Sequence, residues 1–138
     1  VNGPRVVSRG KEVSVAWHTE AGGKPRVEFA TSADAGATFG DAVVVDEAEP
    51  LGRADVACLD EGRHAVCWLG RIDAKRAEVR VRTIGADGKP GEVGAVAEVP
   101  ADRTSGFPRM ASTGLSLIVA WTDPTGGYRV RTARVTEP

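Results

Sequence analysis

Three arginines are the first residues in this 138-residue chain with types and placement that could do chemistry: Arg5, Arg53 and Arg109. Each opens a run of strand-forming residues. A guanidinium is permanently charged and presents a planar fork to a carboxylate or sulfate, so three of them converging would make an anion site. The more ordinary fate is structural, each packing against carboxylates of the preceding loop, such as Glu49 and Asp102. A second polar set follows the tryptophans: His18, Thr19 and Glu20; then Arg71, Asp73, Lys75 and Arg76; then Thr122 and Asp123. Together these could line a cleft. His18, directly after Trp17, reads as a solvated cap rather than a base, and His64, beside Arg63 within a strand, reads as structural. No His, Cys or carboxylate spacing matches a metal site, and no cofactor is implied.

Positioning such groups falls to strands. Valine occurs 19 times and alanine 20, leucine five, and Gly plus Pro make up 25 of the residues. That is a strand-and-turn composition. Eighteen basic against 19 acidic residues give a net charge of −1, so charge-driven attraction to nucleic acid or an anionic membrane is not expected. No apolar run approaches a membrane-spanning length, and Val1-Asn2-Gly3-Pro4 has none of the basic and apolar character of a signal peptide. Fourteen arginines against four lysines match a GC-rich genome, so arginine abundance alone says nothing about anions. Cys58 and Cys67 are too few for a disulfide framework and are expected on one face of a hairpin, as two buried thiols.

Internal repetition decides the architecture. Residues 4–17, PRVVSRGKEVSVAW, and 108–121, PRMASTGLSLIVAW, share seven of fourteen positions without a gap. A weaker copy, GRADVACLDEGRHAVCW, ends at Trp68, between Trp17 and Trp121. One domain over residues 1–138 is expected, built of repeats at about 4–50, 51–103 and 104–138. Alternation and turn residues give strands at 4–8, 12–18, 26–31 and 42–46; 54–59, 63–69, 78–83 and 93–99; and 109–112, 115–121 and 128–135. Four short antiparallel strands at this period make a β-propeller blade, and Val13, Val15 and Trp17 facing away from Ser14 and Ala16 suit blade stacking. The fold class expected is all-β, three blades of four, four and three strands; strand number alone also allows a two-sheet β-sandwich, which gives no reason for a repeated Val-Ala-Trp. Arg80 and Arg82 are expected to pair with Glu92 and Glu98 across a blade, and Tyr128 to start a strand at Val79's repeat position as a packing residue.

One turn carries a specific motif, Ser32-Ala33-Asp34-Ala35-Gly36-Ala37-Thr38-Phe39. It resembles the Asp box, S-x-D-x-G-x-T-[WF], of the bacterial neuraminidase repeats in sialidase-like propellers, with Ser32, Asp34, Gly36, Thr38 and Phe39 filling its defining positions. The resemblance implies a folding device remote from any active site, whose Asp caps the turn and whose aromatic pins the hairpin. It also implies six blades, of which this chain resembles the C-terminal half. Propellers close with about four to eight blades, so the remaining blades must come from the same parent chain, a second chain or a second copy. The resemblance further suggests an exported bacterial protein, periplasmic or secreted.

At one mouth of such a propeller, Arg5, Arg53 and Arg109 resemble the arginine triad that grips a sialic acid carboxylate, although Gly-Pro-Arg and Phe-Pro-Arg replace the family's Phe-Arg-Ile-Pro. His18, Glu20, Arg71, Asp73 and Asp123 complete the candidate site. A retaining sialidase would also need a Tyr backed by a Glu and an Asp acid, and Tyr128 is the only tyrosine. A non-catalytic scaffold, or a carbohydrate- or protein-binding module, is the leading expectation. The alternatives are part of a sialidase-like glycoside hydrolase with its acid on other blades, and a self-assembling module in which two copies make six.

Overall fold

Valine-rich strands separated by short Gly-containing turns pair with their neighbours in sequence. Gly10, at φ 60°, turns the first strand back on the second, and Gly36, Gly88 and Gly114 adopt the same left-handed region in later turns. In the computed structural model, which describes residues 2–136, eleven strands form three antiparallel sheets. The first sheet is β1 (Arg5–Arg9), β2 (Glu12–Thr19), β3 (Arg26–Ser32) and β4 (Val43–Asp46) in that order. The second is β5 (Pro50–Cys58), β6 (His64–Arg71), β7 (Arg76–Ile84) and β8 (Pro90–Pro100). The third holds only β9 (Arg109–Ser112), β10 (Ser116–Asp123) and β11 (Arg129–Thr136). These are three blades of a partial propeller with four, four and three strands, and the inner strand β5 lies against both β1 and β9. Among the described residues no helix is long and apolar enough to cross a membrane.

Register sets which face each residue presents, because side chains alternate across a strand. Between the first two blades, Trp68, Val66 and Ile84 pack on Ala16, Val27, Phe29 and Val45. Between the second and third, Leu117 and Val119, with half-buried Trp121, pack on Ala57, Ala65, Cys67 and Leu69. Both interfaces obey one rule: the tryptophan face of a blade covers the small-residue face of the blade before it. Trp68 is fully buried as a result.

Four expectations are corrected by these packing relations. Cys67 registers with Asp55, whereas Cys58 registers with His64, so the two thiols lie on opposite faces of blade 2 and cannot bond. Burial raises the pKa of both. Arg80 pairs with Glu78 and Asp46, and Arg82 donates to the carbonyls of Gly91 and Val45; Glu98 is taken by Arg76. Strand β5 begins at Pro50, because a bulge around Gly52 and Arg53, both at positive φ, continues the pairing with β6 through what reads as a loop. Tyr128 precedes β11 at φ 52° and is 66% exposed, a turn residue rather than a packing one, while Val130 takes the register that Val79 has in blade 2.

Candidate functional site

The strand directions put three features at one end of the blades: the starts of β1, β5 and β9, the loops after β2, β6 and β10, and the crossings from one blade to the next. Arg5 and Arg109 sit at the starts of β1 and β9, and Arg53 in the β5 bulge. The bulge matters, since it shifts register so that Asp55, not Arg53, takes the row occupied by Arg5 and Arg109 in their own blades.

Asp55 is consequently the hub of the inner strands. Its carboxylate is buried and accepts from Arg5 Nε at 3.3 Å and from the Met110 N–H at 2.9 Å, tying all three blades together. Arg53 Nη1 donates to the carbonyls of Gly106 at 2.9 Å and Asp102 at 3.2 Å, and its backbone N–H donates to Asn2 Oδ1 at 2.8 Å. Burial lowers the pKa of Arg53 while the Asp102 charge opposes it. The guanidiniums of Arg53 and Arg109 lie 5.7 and 5.6 Å from the centroid of the Phe107 ring. That is cation–π range. Among the described residues neither makes an ion pair within 4 Å, so two positive charges share one aromatic ring with no carboxylate in contact.

Of the other candidates, His18, Glu20 and Arg71 come together around a cavity of about 370 Å³ between blades 1 and 2, completed by Asn2, Glu49, Leu51 and two prolines. His18 Nε2 is buried there without a hydrogen-bond partner, and Asn2 Nδ2 lies 3.5 Å from its Nδ1. Glu49 bears on this cavity by its carbonyl as well, which accepts the Arg71 N–H at 3.2 Å. Asp73 and Asp123 are not brought in. Asp73 caps its own loop, accepting from the Lys75 and Arg76 N–H groups and from Arg76 Nε at 2.7 Å. Asp123 likewise accepts from the Thr125 N–H and from Arg131 Nε, both at 2.9 Å. Both pKa values are lowered, by the Lys75 amide first at Asp73 and by Arg131 first at Asp123.

The Ser32–Phe39 turn lies at the opposite end, between β3 and β4. Asp34 accepts from Ser32 Oγ at 2.7 Å, the Thr38 N–H at 2.8 Å and Thr38 Oγ1 at 2.5 Å, while Ser32 Oγ accepts the Gly36 N–H. Those bonds hold the Asp34 carboxyl down at about 2. Phe39 is 46% exposed, and the hydrogen bonds of Ser32 and Asp34 close the turn. His64 is buried against the Phe29 ring, with Nε2 3.1 Å from Glu12 Oε1, and burial lowers its pKa while Glu12 opposes. Among the described residues no cluster of His, Cys, Asp and Glu could hold a metal ion.

Sequence reading missed Asp46, Asp55 and Phe107. Asp46 and Asp102 stand at one repeat position, seven residues before Arg53 and Arg109, and each accepts the N–H two residues on, from Ala48 and Thr104. That recurrence was the available signal. Asp46 goes further: its second oxygen accepts from Trp68 Nε1 at 2.6 Å and Arg80 Nη1 at 3.2 Å, locking blade 2 to the end of blade 1. Arg80 reaches it by lying across Gly70, where any side chain would collide with the guanidinium.

No family model matches the sequence, and no curated protein does. Solved structures do match by fold. A Dyadobacter fermentans protein of unknown function is 18% identical, with a TM-score of 0.57, covering 95% of this chain and 36% of its own. A thermostable family-43 glycoside hydrolase is 12% identical, also at 0.57, covering 99% of this chain and 51% of its own. An alpha-L-arabinofuranosidase from Clostridium thermocellum is 16% identical at 0.49, covering 99% and 47%. The chain thus spans between about a third and a half of these proteins. At such identities the likeness bears on fold alone.

Proposed function

We propose that this chain is a non-catalytic segment of a sialidase-like propeller, from an exported bacterial protein, and that its arginine-lined mouth binds a sulfated or carboxylated sugar. The observation that carries the reading is the pair of guanidiniums on the Phe107 ring, Arg53 held by two carbonyls as well, with neither in an ion pair among the described residues. A charge fixed this way is available to an incoming anion at little reorganisation cost. Arg5 contributes from beside Asp55, and the cavity of His18, Glu20 and Arg71, for sugar hydroxyls, is joined to Arg53 through Asn2, which lines it and accepts the Arg53 N–H. The sialidase likeness and the exported origin rest on the resemblance of Ser32–Phe39 to the Asp box. Against hydrolysis stands Tyr128, exposed on a turn with no carboxylate hydrogen-bonded to it among the described residues.

Binding and hydrolysis are tested on one preparation. Calorimetric titration with a sulfated disaccharide should give weak binding, a fluorogenic sialoside should stay uncleaved, and Arg109→Ala should weaken binding by roughly 1.5–3 kcal/mol, the range for a hydrogen bond to a charged group. Binding indifferent to Arg109 would return the arginines to a purely structural role. Turnover abolished by Tyr128→Phe would make the chain an enzyme.

A further inference from the structure

Blade 2 closes over the small-residue face of blade 1 along Ser14 and Ala16, and the next side chain in that row is His18. Trp17-His18 recurs in the later repeats as Trp68-Leu69 and Trp121-Thr122. Leu69 is buried among apolar side chains, as suits a blade interface. His18 brings to the same position a polar ring whose needs the protein does not meet. Asn2 Oδ1 accepts the Arg53 N–H, which can only donate, so the Asn2 amide turns its Nδ2 to the Leu51 carbonyl at 3.1 Å and to His18 Nδ1 at 3.5 Å. Nδ1 is then the acceptor and the ring proton sits on Nε2, which is buried without a partner. An unmet donor where another repeat packs leucine costs stability and returns nothing to the fold.

The cavity of about 370 Å³ that His18 lines holds two kinds of polar group. Glu20 and Glu49 carry carboxylates, which only accept, whereas the Arg71 guanidinium and the His18 N–H only donate. Among the described residues neither glutamate nor Arg71 is in an ion pair within 4 Å. Glu49 is held at φ 51°, a left-handed conformation uncommon for a residue with a side chain. Leu51 and Pro50 supply an apolar wall. We propose that this cavity takes an uncharged sugar ring joined to the acidic unit that the arginines bind, so that the ligand is a saccharide with an anionic residue beside a neutral one. The inference rests on the anion-binding reading of Arg53 and Arg109. A hydroxyl donates and accepts at once, so a ring of hydroxyls serves carboxylates and cations together while its C–H face lies on Leu51 and Pro50. A second sulfate or carboxylate would be drawn by Arg71 but set against both Glu20 and Glu49. Asn2 makes the two places adjoin, since it lines the cavity and accepts the Arg53 N–H at 2.8 Å.

Calorimetric titration tests this by comparing galactose 6-sulfate alone with the same unit joined to glucose through several different linkages. At least one such disaccharide should bind about tenfold more tightly than galactose 6-sulfate, the gain from one or two added hydrogen bonds. A second sulfate, on its glucose, should remove that gain, although added charge alone would strengthen attraction to an arginine-lined mouth. Replacing both carboxylates, Glu20→Gln together with Glu49→Gln, should abolish the discrimination between singly and doubly sulfated disaccharides; if that variant fails to fold by circular dichroism, Glu20→Gln alone should narrow it. His18→Leu, which installs the blade 2 side chain, should lose the disaccharide gain without lowering the melting temperature. Disaccharides no tighter than galactose 6-sulfate, a doubly sulfated one bound as tightly as the singly sulfated, or a gain that survives His18→Leu would each overturn the inference, and would leave the anion site standing where Arg109→Ala still weakens galactose 6-sulfate. Binding of galactose 6-sulfate indifferent to Arg109→Ala would overturn the anion site, and the inference with it.

Discussion

Asp34 shows how far a single residue can be read from its neighbours. All its acceptor bonds go to Ser32 and Thr38, so the pattern of types within eight residues contained the whole interaction. Asp55 was illegible for the opposite reason: its partners Arg5 and Met110 lie 50 and 55 residues away, and only the bulge at Gly52 and Arg53 brings it into their row. A carboxyl whose pKa is held below its unfolded value adds stability that is present above that value and lost as pH falls toward the folded one. For Asp34 the window runs from its ordinary 3.8 down to about 2. Asp34→Asn should therefore lower the melting temperature at neutral pH and flatten its decline across that window. Thermal melts of both proteins through the interval check this, and parallel slopes would contradict it.

Among elements, all eleven strands were legible, since alternation and glycine turns are local signals. The start of β5 was not, because a bulged strand and a loop both show Gly beside a polar residue. Facing was harder still. The placement of Cys58 and Cys67 on one face fails on register alone, since the pairing runs unbroken from Cys58 opposite His64 to Asp55 opposite Cys67 and the two cysteines fall on alternate faces. How blades are tied together also lay beyond reach, since the Asp46 contact with Trp68 joins different sheets. That contact is a stability determinant. Asp46→Ala leaves the buried Trp68 N–H unpaired and strips Arg80 of a carboxylate, which should cost about 3 kcal/mol, the scale for breaking one side of a buried pair. Asp46→Asn, keeping an acceptor for the indole, should recover part of the loss. Urea denaturation curves of the three proteins measure both effects.

For the whole molecule, the recurrence of Pro-Arg…Val-Ala-Trp was enough to foresee three blades, because a repeat period is a property of the fold and not of its contacts. The same recurrence could not reveal that the repeats differ at the mouth. Arg5 is neutralised by Asp55, Arg53 is moved out of its row by the bulge and held by carbonyls, and only Arg53 and Arg109 share Phe107, so the three arginines have three electrostatic settings. The proposed binding site depends on this inequality. It is tested most directly by following arginine side-chain NMR signals while a sulfated disaccharide is titrated into the chain. The Nε resonances of Arg53 and Arg109 should move together and saturate, while Arg80 and Arg82, committed to Asp46 and the Val45 carbonyl, stay in place. Uniform drift of all arginines, or movement elsewhere with Arg53 and Arg109 still, would contradict the account.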